Sequence, residues 1–184
     1  MGTMNRLADL TWFRTIHQLD VRSFYWLLTR RHARTLARFA RIVSHSADGF
    51  YYPLAGLWLW YHDLVIGAYA LALAFLLERP VYKLLKNSFR RNRPADILEN
   101  FRSFITPSDR FSFPSGHTSG AFVVTTVLTA LQPELFWPLY GWAMLVGWSR
   151  VQLGVHFPTD TLMGALLGSG VAALSLNITQ AWLL

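Results

Sequence analysis

The sequence predicts an all-α protein, a polytopic transmembrane helix bundle of five or six spans preceded by an amphipathic N-terminal region. Three observations predict it. Hydrophobic residues make up 53% of the 184 residues and charged residues only 15%, an apolar content above that of an average soluble domain. The charge is gathered into a few segments that separate apolar runs of helical length. Aromatic residues stand near the ends of those runs, Trp60, Tyr61, Trp137 and Tyr140 among them, where the interfacial belts of membrane proteins lie.

Residues 5–20 and 22–44 read as amphipathic helices. In the second, Arg30, Arg31, Arg34, Arg38 and Arg41 recur at helical spacing opposite Leu27, Leu28, Leu36, Phe39 and Val43. Five arginines on one helix are costly inside hydrocarbon, which puts this stretch at headgroup level or across one end of the bundle. A first span within 12–29 decides between five spans and six. Asp48-Gly49 opens an aromatic-rich apolar segment, 50–61, shorter than the about 20 residues a span needs unless its flanks join it. His62-Asp63 marks a tight turn into the apolar segment 64–82. Residues 83–113 are polar and basic and contain the breakers Pro94 and Pro107, so they read as a long loop. Segments 117–131 and 136–148, joined by Gln132-Pro133-Glu134, and a last one at 159–180 complete the bundle. This alternation places 62–63 and 132–135 at one end and 83–113 and 149–158 at the other. The chain therefore reads as one domain, 1–184, with amphipathic helices over 1–47 and a helical core over 48–184.

Cysteine is absent, which excludes disulfides, thiolate metal sites and a cysteine nucleophile. The net charge of +7 comes without a nucleic-acid motif, so anionic lipid and phosphate, not nucleic acid, are the expected partners. The first ten residues contain no apolar run followed by a small-residue cleavage site, and no removable signal peptide is expected.

Three polar motifs interrupt the apolar pattern: Lys86-x6-Arg93-Pro94, Pro114-Ser115-Gly116-His117 and Ser149-Arg150-x5-His156-x3-Asp160. His156 is the candidate nucleophile, since an imidazole attacks phosphorus at neutral pH and carries the phosphoryl group as a phosphoramidate. Pro158 suits a first helical turn, which brings Asp160 near enough to reach back to His156 and fix its tautomer. Taken alone, this pair is equally a helix-capping arrangement. Ser115 reads as an N-cap and Gly116 as a point of close backbone approach, so that free N–H groups form an anion site. His117, in the first turn, is placed to protonate a leaving alkoxide. By itself this tetrapeptide also reads as a plain cap followed by an interfacial histidine. Lys86, Arg93 and Arg150 supply fixed positive charge for phosphoryl oxygens, while Lys83, Arg90 and Arg91 also fit a basic flank of the positive-inside kind.

In order and spacing, these motifs resemble the type 2 phosphatidic acid phosphatase (PAP2) superfamily, which includes vanadium haloperoxidases and bacterial acid phosphatases. All eleven motif positions match. The resemblance is close over 86–160, extends through the helix layout to about 48–180, and leaves the N-terminal region outside. It implies His156 as nucleophile, Asp160 as its partner, His117 as general acid, and Lys86, Arg93, Ser115, Gly116 and Arg150 as the phosphate cradle, with no metal and no cofactor. It further implies an integral membrane phosphatase acting on a lipid phosphate, with undecaprenyl diphosphate, phosphatidylglycerol phosphate and phosphatidate as candidates. A lipid phosphotransferase, which passes the same phosphohistidine group to another lipid, is the alternative, and a haloperoxidase or a non-catalytic lipid-binding protein stands further off. Counts of arginine and lysine place the motif end in the cytoplasm, whereas the resemblance implies a bacterial inner-membrane protein whose motif end faces the periplasm. The second orientation is the one expected here, because many of the counted charges have a catalytic reason to be there.

Overall fold

The computed structural model describes residues 11–28 and 33–183. The expected helical start at 5–10, and Arg30 and Arg31 of the basic stripe, lie outside them. Among the described residues the ordered elements are helices, and no strand is present.

The N-terminal region forms α1 (Thr11–Leu28) and α2 (Ala33–His45), and α1 runs without interruption through the helix break expected near 21. Asp20 lies mid-helix and is buried. The buried stripe of α2 also differs from the expected one. Ala37, Ala40 and Ser44 face the bundle, whereas Phe39 is 50% exposed and Ile42 72% exposed. Small side chains allow α2 to lie close against α7, and the large apolar ones are left on the outside with Arg34, Arg38 and Arg41.

After Asp48-Gly49 comes α3 (Tyr51–Tyr61, 11 residues). It stops at the expected tight turn, where Asp63 takes a left-handed φ of 57° and the Leu64 N–H donates to the Leu59 carbonyl at 2.9 Å. Next is α4 (Val65–Phe89, 25 residues), which continues through Pro80 and ends only at Arg90 with φ 46°. The expected boundary at 82 is therefore corrected. The apolar run does stop there, but Glu78 and Lys86 stay buried at helical spacing, and that inward face carries the helix two turns further. Lys83 and Lys86 are helical, not part of a loop.

A short α5 (Pro94–Ile97) follows Arg93, whose N–H donates to Asp96 Oδ2 at 3.2 Å. The long irregular connection leads to α6 (Gly116–Leu131), with Ser115 at its N-cap position. A 3₁₀ turn (Pro133–Leu135), α7 (Phe136–Gln152) and α8 (Pro158–Leu183) complete the chain. The central core joins α3, α4, α6 and α8 through Tyr52, Leu59, Leu71, Val123, Val127 and Leu176. Smaller clusters fix the N-terminal helices: Phe24 packs with Val151 and Phe157, and Ala40 with Leu153 and Val155.

Helices α6 and α8 touch most closely. A Cβ at Gly164 would lie 2.5 Å from the Ser115 carbonyl oxygen, and one at Gly168 would lie 2.2 Å from that of Ser119. Only glycine permits backbone-to-backbone packing at that distance. Gly168→Val is expected to push the two helices apart at a cost of about 1–3 kcal/mol, read as a fall of roughly 5–10 °C in melting temperature. A variant that melts with the parent chain would show that the contact is dispensable.

Val65–Ile97 and Pro158–Trp182 are long and apolar enough to cross a bilayer. At 11, 16 and 17 residues, α3, α6 and α7 are shorter than the about 20 residues a full span uses.

Candidate active site

The polar ends of five helices meet at one end of the bundle. Lys86 is in the last turn of α4, Arg93 precedes α5, Ser115–His117 start α6, Arg150 is in the last turn of α7, His156 is in the 153–157 link and Asp160 is in the first turn of α8. Backbone hydrogen bonds tie these ends together. Ser112 N–H donates to the Arg91 carbonyl at 2.8 Å, Phe104 N–H to Leu153 at 3.0 Å and Ser115 N–H to Asp160 at 3.0 Å. The link turns sharply because Gly154 adopts φ 78°, where a Cβ would lie 2.5 Å from the Phe101 ring.

His156 is 3% exposed. Its Nδ1 faces Asp160 Oδ2 at 3.8 Å, beyond hydrogen-bond length, so the expected tautomer-fixing bond is not formed in this geometry. Asp160 is engaged elsewhere. Its Oδ2 accepts the Phe157 N–H at 2.8 Å, which caps α8, and its Oδ1 accepts Arg91 Nη1 at 2.7 Å. Capping and facing the histidine, alternatives in the sequence, are thus both served by one carboxylate. Burial pulls the His156 imidazole down to about 4, leaving it neutral, with a lone pair available, at neutral pH.

Lys86 and Arg93 converge on one anion. Asp109 Oδ2 accepts Lys86 Nζ at 2.5 Å and Tyr82 Oη–H at 2.8 Å; its Oδ1 pairs with Arg93 Nη2, and its carbonyl accepts Arg93 Nε–H at 3.1 Å. Burial pushes the Asp109 carboxyl up, but the Lys86 and Tyr82 hydrogen bonds and the two cations outweigh it and hold it at about 2. Arg93 Nη1 also donates to the Val155 carbonyl at 2.5 Å, which anchors the residue next to His156.

Arg150 donates through Nη1 to Ser44 Oγ at 2.6 Å, and its buried Nε has no partner among the described residues. His117 Nε2 lies 3.1 Å from Asp48 Oδ1, and Asp48 Oδ2 pairs in turn with His45. Ser115 Oγ bonds Thr118 Oγ1 at 2.9 Å and does not cap the helix through its side chain. Gly116 lies under the Tyr82 ring, whose edge would be 3.1 Å from an added Cβ. All eight sequence-predicted residues therefore stand at one end of the bundle.

Sequence reasoning missed several others. Arg91, read also as a basic flank, pairs with Asp160 Oδ1 and, at 2.6 Å, with Asp20 Oδ2, and it lies over the Phe157 ring. Asp20 Oδ1 also accepts the Thr159 N–H at 3.0 Å. An N-terminal helix outside the motif region thus supports the start of α8. Asp109, Tyr82, Asp48 and Ser44 complete the surroundings. The available signal was weak: Asp109 is one of three acids in a basic stretch, with Asp96 and Glu99, and Asp20 is a single acid within Thr11–Leu28.

Comparison with known proteins comes to the same region. A family model described as PAP2 superfamily matches residues 45–183. Phosphatidylglycerophosphatase B of Bacillus subtilis is 33% identical over 141 residues, covering 68% of this chain and 66% of that protein. Undecaprenyl-diphosphatase of Sulfolobus acidocaldarius is 46% identical over 77 residues, 39% of this chain and 35% of that protein. In five such relatives the match spans 30% to 66% of their own length. The crystal structure of Aquifex aeolicus LpxE superposes with a TM-score of 0.78 at 32% identity, covering 86% of this chain and 95% of that one.

Proposed function

The chain belongs to the PAP2 superfamily, and on that footing we propose that it is a multi-pass membrane lipid phosphatase. It removes the terminal phosphate of a lipid phosphate or diphosphate through a phosphohistidine at His156. One observation carries this reading: a single carboxylate, Asp109, already gathers Lys86 and Arg93 around one point, and a phosphoryl group presents the same kind of oxygens to the same donors. Substrate phosphate takes over these cations from Asp109.

In the first step His156 Nε2 bonds to phosphorus, the ester or anhydride P–O bond breaks, and the leaving oxygen takes a proton from His117. In the second step water bonds to phosphorus, the N–P bond breaks, and His117 takes the proton from water. Lys86, Arg93 and Arg150 meet the charge on the non-bridging oxygens. Asp48 Oδ1, 3.1 Å from His117 Nε2, orients the imidazole for the proton transfer.

The membrane reading is supported by the two long apolar helices and by the outward apolar side chains. Leu57, Leu76, Met144, Leu162 and Leu166 are each at least 58% exposed, a girdle that water would penalise. Five spans follow if α3, α6 and α7 cross with their flanks, and six if α1 crosses as well. We place the active end on the periplasmic face of a bacterial inner membrane. The structure gives reason to discount the cation count, since Lys86, Arg91, Arg93 and Arg150 are engaged within the site. In intact cells, cysteine introduced at exposed Ser108 is expected to react with an impermeant maleimide; labelling only after permeabilisation reverses the orientation.

The function is tested by phosphate release from purified protein in detergent with EDTA present. Undecaprenyl diphosphate, phosphatidylglycerol phosphate and phosphatidate are supplied separately. Release from at least one lipid is expected. No release from any of them, or release that depends on added metal, overturns the assignment.

A further inference from the structure

The active end opens into a cleft of about 210 Å³ whose walls include Arg41, Ser44, His45, Asp48, His117 and Arg150. His117 and Arg150 line this cleft, whereas His156 does not. In an in-line displacement the attacking and leaving atoms lie on opposite sides of phosphorus, so a cleft that contains the acid and not the nucleophile lies on the leaving-group side.

Its charge is set mostly by contacts within the protein. Asp48 is taken up by His117 and His45, which leaves Arg150 and Arg41 as the fixed cations. Arg41, on the last turns of α2, lies outside the residues the family model matches. Its Nη2 donates to the Phe104 carbonyl at 2.8 Å, which braces the side chain; a guanidinium carries five donors in a planar fork suited to phosphate. Ser44, one turn from Arg41, accepts from Arg150 and so couples this part of α2 directly to the phosphate cradle.

We propose that this cleft is a subsite for a second phosphate, carried by the leaving portion of the substrate and recognised by Arg41. The proposal rests on the phosphatase reading with His117 as acid. Two sources supply this chemistry. In a polyprenyl diphosphate the inner phosphate is bonded directly to the leaving oxygen, and in phosphatidylglycerol phosphate a phosphodiester follows one glycerol away. Phosphatidate leaves as diacylglycerol, which has no second phosphate and gains nothing from Arg41.

The test compares kcat/KM of the full chain in detergent for undecaprenyl diphosphate, phosphatidylglycerol phosphate and phosphatidate, in the parent protein, Arg41→Gln and Arg41→Lys. Loss of a charged hydrogen bond is on the order of tenfold or more. The ratio of the two-phosphate substrate to phosphatidate is expected to fall by that factor in Arg41→Gln and to recover in large part in Arg41→Lys. The substrate whose ratio falls identifies the source. An equal loss on all three substrates assigns Arg41 to bracing Phe104 and overturns the proposal, as does no change at all or a parent protein that prefers phosphatidate. His156→Ala run beside them separates the two levels: lipid hydrolysis that survives in it sinks the phosphohistidine reading, whereas hydrolysis lost in it with unaltered Arg41 ratios sinks only the subsite.

Discussion

Replacing His156 with alanine is expected to lower kcat by about 10⁴-fold or more, the scale seen when a covalent nucleophile is removed. The imidazole is buried and kept neutral, with Asp160 facing its Nδ1 side, and the other ring nitrogen is the one left for phosphorus. Alanine removes the atom that forms the N–P bond, and none of the residues placed around it supplies another nucleophile aimed the same way. The variant should still fold, because the link around it is fixed by backbone contacts of Val155, Phe157 and Gly154 and not by the ring. Two readouts together decide the matter. Rapid quenching with ³²P-labelled lipid should leave acid-labile label on the parent protein and none on His156→Ala, and both proteins should melt within a few degrees of each other. Substantial turnover in a folded His156→Ala would falsify the phosphohistidine mechanism.

Arg91→Ala is expected to be the most damaging single change to the fold of the active end. The guanidinium, whose side chain is 19% exposed, bridges Asp20 and Asp160, which are 2% and 0% exposed. Removing it leaves two buried carboxylates without their cation, and breaking one buried pair in this way costs about 3–5 kcal/mol. For a chain of this size that corresponds to a fall of roughly 10 °C or more in melting temperature. Activity should fall as well, since Asp160 then lacks the partner that fixes its Oδ1. Arg91→Lys, which keeps one charge but not the fork that reaches both acids, should lie between the two. If Arg91→Ala melts with the parent protein, the bridge contributes nothing measurable and the other contacts of α1 hold it in place.

Much of the architecture was legible beforehand because it depends on local rules. The tight turn at His62-Asp63 and the start of α8 at Pro158 follow from turn and helix-start chemistry that a few neighbouring residues decide; α6 begins after Ser115 as expected, although that side chain bonds Thr118 and not the helix N–H groups. The end of α4 was misplaced for the complementary reason. Hydropathy changes at 82, but the helix persists because Lys86 is turned inward to meet Asp109, a contact 23 residues distant in sequence. On α2 the arginine stripe was visible, yet the face opposite it was assigned to large apolar residues. The bundle accepts alanine and serine there because α7 comes close, and no periodicity states how near a neighbour will be.

By itself, the sequence determined the helical class, the order of the apolar segments and the identity of the eight residues that stand at one end of the bundle. Each of these is read from composition, short-range periodicity or short motifs. Only the tertiary structure decided what those residues face: that Lys86 and Arg93 share Asp109, that Asp160 is held by Arg91, which it shares with Asp20, more closely than by His156, and that Ser44 and Arg41 of an amphipathic helix reach the site. Pairings of this kind join residues 16 to 139 positions apart. They are selected by how buried charges find compensation once the helices have packed, and that choice is made by the whole fold, not by any segment of the chain.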